Sequence, residues 1–251
     1  MNKHTLKIGW LYPQLMNTYG DRGNIIVLTK RCEWRDIHVE VKYLNEGFAV
    51  KDLEACDLLF MGGAQDKQQQ IVSEDLKKEK VKALSSMIED NIPGLYICGA
   101  YQFLGKYYKE ADGTMIPGLG IFDLYTENPG THIERLIGNI SVDVIDEHKK
   151  LQTLVGFENH GGRTYLGKDI KPLGHVVHGY GNNGGDKTEG AIYKNSFGSY
   201  MHGPILPKNP FLADLLIQKA LVEKYGKEMQ LKKLDDSFEE KAHEVILKRL
   251  H

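Results

Sequence analysis

Between residues 6 and 108, short apolar runs alternate with helical patterns, and this alternation limits the possible folds more than any other feature. Leu6–Leu11 reads as a strand, and Gly23–Trp34 as a helix with apolar residues at 25, 26 and 28. Ile37–Leu44 has period two at Ile37, Val39 and Val41, which predicts a second strand. Asp57–Met61 is a short apolar run closing on Gly62–Gly63, the pattern of a buried strand. Ser73–Asn91 is charged and helical, with Val81, Leu84, Met87 and Ile88 on one face. Pro93 and Gly94 interrupt it, Leu95–Ile97 forms a strand that delivers Cys98, and Ala100–Tyr108 reads as the next helix. Such alternation predicts an α/β fold in three layers: a mostly parallel central sheet flanked by helices.

Beyond residue 112 the texture changes. Ile121–Thr126, Ile137–Ile145, Leu154–Phe157, Leu173–Val177 and Ala191–Tyr193 are short strand candidates between Gly, Asn and Asp turns. Ser199–His202 is the last strand, stopped by Pro204, Pro207 and Pro210. Asn209 is placed to cap a helix over Pro210–Tyr225, with proline at its first position. Ser237–Leu250 reads as a second amphipathic helix. No repeat or linker divides the chain, so residues 1–251 are expected to form one domain with C-terminal helices over about 210–250.

The charge balance narrows the function classes. Thirty-four acidic side chains face 32 basic ones, for a net charge of −2 without a basic cluster, which argues against nucleic acid as a partner. Leu58–Met61 and the other apolar runs are far too short for a membrane span, and Met1–Lys7 is polar with no signal region behind it. A cytoplasmic protein is the expectation. Cys32, Cys56 and Cys98 have no paired or metal-type spacing, so reduced thiols and no metal site are expected.

Cys98 is the thiol with a chemical context. Chemistry in an open parallel sheet gathers at the carboxyl ends of its strands, where the Leu95–Ile97 strand places this residue. Gly99, Ala100 and a helix follow, giving a strand–nucleophile–helix turn that would expose the sulfur and favour thiolate at the helix start. Gly99 N–H and the Gly62–Gly63 turn, through Gly63, are candidate oxyanion donors. The plain alternative is an inert buried cysteine, which is the reading given to Cys32 and Cys56.

The run Y-I-C-G-A-Y-Q-F-L-G at Tyr96–Gly105 resembles the nucleophile segment of class I glutamine amidotransferases, closest to their cobyric-acid-synthase-like branch. M-G-G-A-Q-D (Met61–Asp66), G-F-E-N-H-G-G-R-T (Gly156–Thr164), S-Y-M-H-G-P-I-L-P-K-N (Ser199–Asn209) and Y-G-D-R-G-N-I (Tyr19–Ile25) extend the likeness. Together they are similar to the glutaminase subunits of bacterial lipid II isoglutaminyl synthases. The resemblance implies a flavodoxin-like sheet, Cys98 as nucleophile, His202 as base, and Arg135 with Gln102 as contacts for glutamine. It departs from the family pattern at Tyr96 and Ala100, where many members carry glycine. His160 competes with His202 and is read as a loop-forming or partner-contacting residue.

Many class I relatives place a glutamate two residues after the histidine, where this chain has Pro204. A Cys–His dyad, an orienting carboxylate from Glu158 or Asp21, or an acid from a partner subunit would each resolve that gap. The resemblance further implies that ammonia passes to a Mur-ligase-like subunit (MurT in that branch) in a heterodimer. No phosphate-loop motif occurs here, so ATP and Mg are expected on the partner, which would amidate the D-glutamate of the lipid II stem peptide to D-isoglutamine. Peripheral contact with the inner membrane face fits such a substrate. The rival readings are a glutaminase for a corrinoid, a cysteine hydrolase of the DJ-1-like type, and a non-catalytic scaffold for a ligase.

Overall fold

A computed structural model describes residues 4–146, 149–226 and 229–250. The alternating part of the chain forms β1 (His4–Leu11), α1 (Arg22–Glu33), β2 (Ile37–Leu44), α2 (Val50–Glu54), β3 (Leu58–Met61), α3 (Asp66–Asp75), α4 (Glu79–Glu89), β4 (Gly94–Ile97) and α5 (Gly99–Leu104). Short strands follow: β5 (Tyr107–Lys109), β6 (Met115–Pro117), β7 (Leu124–Glu127), β8 (Leu136–Ile145), β9 (Leu151–His160), β10 (Arg163–Leu166), β11 (Gly174–His178), β12 (Thr188–Glu189), β13 (Ala191–Tyr193) and β14 (Ser196–Ser199). Two helices close the chain, α6 (Pro210–Tyr225) and α7 (Ser237–Lys248).

The central sheet has the order β13-β14-β4-β3-β1-β2, and only the β13–β14 pair is antiparallel. Alternation along its strands splits the apolar residues between two faces, as period two requires. Leu6, Ile8, Trp10, Leu58, Phe60, Leu95 and Ile97 join α1, α6 and the β8–β9–β11 sheet in one core. Leu11, Leu59, Met61 and Tyr96 join α2, α4 and α5 in the other. The layers anticipated from periodicity are therefore present. Tyr96 packs edge-on to Phe122 inside this second core, away from solvent, and Ala100 is buried there too. Among the described residues, no helix is long and apolar enough to cross a membrane.

Several boundaries differ from the sequence expectations, each for a local reason. The helix expected over Ser73–Asn91 is two helices, broken where Lys78 takes φ 50°. Asp75 ends the first one: its carboxylate accepts Tyr12 Oη, Gly47 N and Lys80 Nζ, contacts that an uninterrupted helix would not bring together. The helix expected to reach Tyr108 stops at Leu104, because Tyr107–Lys109 pairs with β6 and β7. Strand β14 ends at Ser199, so His202 lies beyond the strand and bridges to Phe157 through its backbone. Strands β7 and β9 are shifted or longer than expected, and hairpin pairing of β8 with β9 runs over ten residue pairs.

Two polar clusters hold the C-terminal part in place. Arg31, almost fully buried on α1, ion-pairs with Asp214 of α6 at 2.7 Å and with Asp236 before α7 at 2.6 Å. Arg35 adds Asp214 and the carbonyl of Lys232. Asn209 is the N-cap residue of α6, but its side chain does not cap. It reaches β9 instead, accepting from Val155 N at 2.9 Å and donating to Val155 O at 2.8 Å and Ile205 O at 2.7 Å. Asn209→Ala leaves those buried backbone groups without partners and should destabilise the fold by about 2–4 kcal/mol, measured by urea denaturation.

Candidate active site

Strand β4 ends one residue before Cys98, which takes φ 51° and ψ −104° before α5 begins. A non-glycine residue at positive φ is strained, and such strain marks a forced turn. The turn is pinned from the neighbouring strand by Cys98 N donating to Ser199 O at 2.8 Å. Cys98 is partly exposed, unlike the other two thiols. Burial pushes Cys32 and Cys56 up to about 12, so both remain protonated and inert.

Three chain segments converge on the sulfur side of this turn. A Cβ built on Gly63 would lie 2.7 Å from His202 Cε1 and 3.4 Å from Cys98 Cβ, so only glycine fits between them. His202 is fully buried, with Nδ1 3.3 Å from Asp21 Oδ1. Its Nε2 has no hydrogen-bond partner among the described residues. Burial works against a charged ring here, but the neighbouring Cys98 and the contact with Asp21 outweigh it and raise the imidazole to about 10. The site thus favours the protonated ring, the form that stabilises a thiolate beside it.

Of the two acids considered for the gap left by Pro204, Asp21 is the one beside His202. The Pro204 ring packs on the start of α1: a Cβ at Gly23 would come within 2.3 Å of its Cγ. Position 204 thus faces the start of α1, and the residue before that helix, Asp21, places its carboxylate at His202 Nδ1. Glu158, the other acid considered, is engaged elsewhere. Its carboxylate accepts Tyr180 N at 2.7 Å and Gly181 N at 2.9 Å and lies 3.5 Å from His160 Nε2. The expected Gly63 oxyanion donor also needs correction. Gly63 N donates to Asp21 Oδ2 at 2.7 Å, so that N–H is already used. The backbone of the next residue runs against the start of α5, with Ala64 N 3.0 Å from a Cβ built on Gly99.

A cavity of about 450 Å³ opens beside Cys98, bordered by Tyr19, Lys67, Gln69, Gln102, Arg135 and Asn159. Its volume suits a small polar ligand. Arg135 and Gln102, both expected at the substrate, line it. Arg135 donates Nε to Asn159 Oδ1 and Nη2 to Asn159 O, both at 2.9 Å. Gln102 belongs to a buried relay in which Gln69 donates to Gln102 at 3.2 Å and Gln102 to Tyr200 Oη at 3.0 Å. Tyr200 continues to Thr164 at 2.6 Å and Thr126.

His160 also borders the cavity, with its ring held in the wall. It is buried, stacked on Tyr200 with ring centroids 3.6 Å apart, and joined through Nδ1 to Gly162 O at 2.8 Å. Burial lowers its pKa despite the nearby Glu158 carboxylate, so it stays neutral and shapes the turn. Tyr19, Gln69, Asn159 and Tyr200 were missed as site residues. Tyr19, Asn159 and Tyr200 sit inside the motifs that carry the family resemblance, which was the available signal, whereas Gln69 lies outside them.

Residues 7–210 match the CobB/CobQ-like glutamine amidotransferase domain. The lipid II isoglutaminyl synthase (glutamine-hydrolyzing) subunit GatD of Staphylococcus aureus (strain N315) is 46% identical over 246 residues, spanning 98% of this chain and 96% of that protein. The GatD of Streptococcus pneumoniae (strain ATCC BAA-255 / R6) is 45% identical, covering 93% of this chain and 87% of its own length. Among solved structures, PurLQS from Thermotoga maritima superposes with a TM-score of 0.54 at 14% identity, over 90% of this chain and 100% of the matched one, a likeness of fold alone. With that match over most of its length, the chain belongs to the CobB/CobQ-like glutamine amidotransferase family.

Proposed function

We propose that this chain hydrolyses L-glutamine to glutamate and ammonia with Cys98 as nucleophile and His202 as proton carrier. The observation that carries the reading is the strained Cys98 turn beside a buried imidazole whose Nδ1 meets Asp21. The Cys98 thiolate attacks the glutamine carboxamide carbon, and a tetrahedral oxyanion forms between Gly99 N–H and Ala64 N–H. His202 gives its proton to the departing ammonia, leaving a thioester on Cys98. His202 then takes a proton from water, the hydroxide attacks the thioester, and glutamate leaves as the thiolate reforms. Arg135 binds the α-carboxylate, and Gln102 faces the same ligand from the first turn of α5.

The names of the two bacterial relatives describe one subunit of a glutamine-hydrolysing lipid II isoglutaminyl synthase. We extend that role to this chain: ammonia passes to a Mur-ligase-like partner, MurT, that holds ATP and Mg and amidates the D-glutamate of the lipid II stem peptide. The heterodimer works in the cytoplasm, in peripheral contact with the inner membrane face where that substrate resides. Residues 1–251 act as a single glutaminase domain, and the Arg31 ion pairs with Asp214 and Asp236 support including the C-terminal helices in it. Asp21 orients His202 in this reading.

Two measurements test the chemistry. A diazo-ketone glutamine analogue should label Cys98 stoichiometrically, in the chain alone or with its ligase, and Cys98→Ala should abolish both labelling and glutamate release. Persistent glutamate release by that variant would refute the assignment. Asp21→Asn should lower kcat/KM for glutamine by about 10- to 1,000-fold, since the ring loses the partner that orients it. Removing the carboxylate also removes one cause of the raised His202 pKa, so the proton is lost at lower pH. The alkaline limb of the kcat/KM profile should therefore move to lower pH in Asp21→Asn, and an unmoved limb would exclude Asp21 from this role.

A further inference from the structure

Asn159 joins two residues of the cavity that lie on separate parts of the chain. It directly faces Ile137 across the β8–β9 ladder, and Arg135 lies two residues before Ile137, where period two returns to the same face. The guanidinium gives one edge to Asn159: Nε to Oδ1 and Nη2 to the backbone oxygen, both at 2.9 Å. Its other edge runs over Gly161, where a Cβ would come within 3.3 Å of Nη1. Arg163 braces the backbone on both sides, donating to Gly161 O at 2.8 Å and to Glu134 O at 2.7 Å. The remaining half of the Asn159 amide, Nδ2, donates to Tyr19 Oη at 2.8 Å.

Tyr19 is half exposed and takes φ 56° and ψ 25°, so neither deep packing nor a relaxed backbone fixes it. Its ring nevertheless stands edge-on to His202, with centroids 5.0 Å apart. A carboxamide offers an acceptor to the guanidinium and a donor to the phenol within one short planar group. A carboxylate would neutralise the arginine, and a hydroxyl could not span both.

We propose that Asn159 is a positioning residue for substrate selection: it holds the Arg135 fork ready for an α-carboxylate and, through Tyr19, ties that fork to the wall beside His202. The proposal rests on the glutaminase reading and names its specificity determinant. Immobilising one edge of a long exposed side chain before binding leaves less rotamer freedom to lose when the ligand arrives. Amides that carry a carboxylate gain from this arrangement, and amides that lack one do not.

The test compares two electrophiles on the full chain, with its ligase partner present, by peptide mass spectrometry of Cys98. The diazo-ketone glutamine analogue carries an α-carboxylate, whereas iodoacetamide carries none. Asn159→Ala should slow labelling by the analogue about 10- to 100-fold and leave iodoacetamide labelling within about twofold. In the Arg135→Ala background, adding Asn159→Ala should cost nothing further against the analogue, as two residues acting in one unit require. Tyr19→Phe should give a smaller loss of the same selectivity. Equal slowing of both reagents, no slowing of either, or full additivity with Arg135→Ala would overturn the proposal. A wild-type chain that reacts with iodoacetamide but not with the analogue would instead refute the glutaminase reading.

Discussion

The site is organised by one buried carboxylate. Asp21 Oδ2 accepts the Gly63 N–H at 2.7 Å, and Oδ1 lies 3.3 Å from His202 Nδ1. A fully buried carboxylate is costly unless its oxygens find donors, and here each oxygen has one. The result is a bracket between three parts of the chain: the loop before α1, the turn after β3 and the segment after β14. Cys98 completes the arrangement from the end of β4. Removal of this carboxylate would leave the imidazole with a single charged neighbour and free the glycine turn from its fixed position.

The position of that acid goes with a close approach between two segments. Where many class I relatives carry a glutamate, this chain has Pro204, which faces the start of α1. Pro204 instead supplies a flat apolar surface for Gly23, and the absence of a Cβ at 23 lets the helix start come close. Asp21 gains access to His202 because of that approach. Proline at 204, glycine at 23 and aspartate at 21 are thus parts of one solution, and none of them explains itself alone.

Much of this was legible in the sequence, and the rest was hidden for identifiable reasons. Periodicity gave the parallel half well, because strands buried on both faces between helices leave strong apolar runs. Cys98 could be found because strand, small residues and helix are contiguous around it. Asp21 and Glu158 could not be ranked from sequence, since proximity to His202 depends on packing between segments far apart in the chain. Gly63 was misassigned as an oxyanion donor for the same reason: its N–H is consumed by a side chain 42 positions away. Asn209 looked like a helix cap because local rules favour it there, but the edge of β9 competed successfully for its amide. The break at Lys78 depends on Tyr12 and Gly47, which no local window contains.

The sheet order also has a bearing on biosynthesis. Strand β14 is inserted beside β4 only after nearly two hundred residues have been made, and it brings the carbonyl that pins the backbone of Cys98. His202 follows it and must then find Asp21, 181 positions earlier in the chain. A nascent polypeptide still tethered to the ribosome with only its alternating half exposed would carry the thiol without the neighbouring imidazole. Assembly of the Cys98–His202–Asp21 cluster therefore waits until residue 202 has been made and has packed.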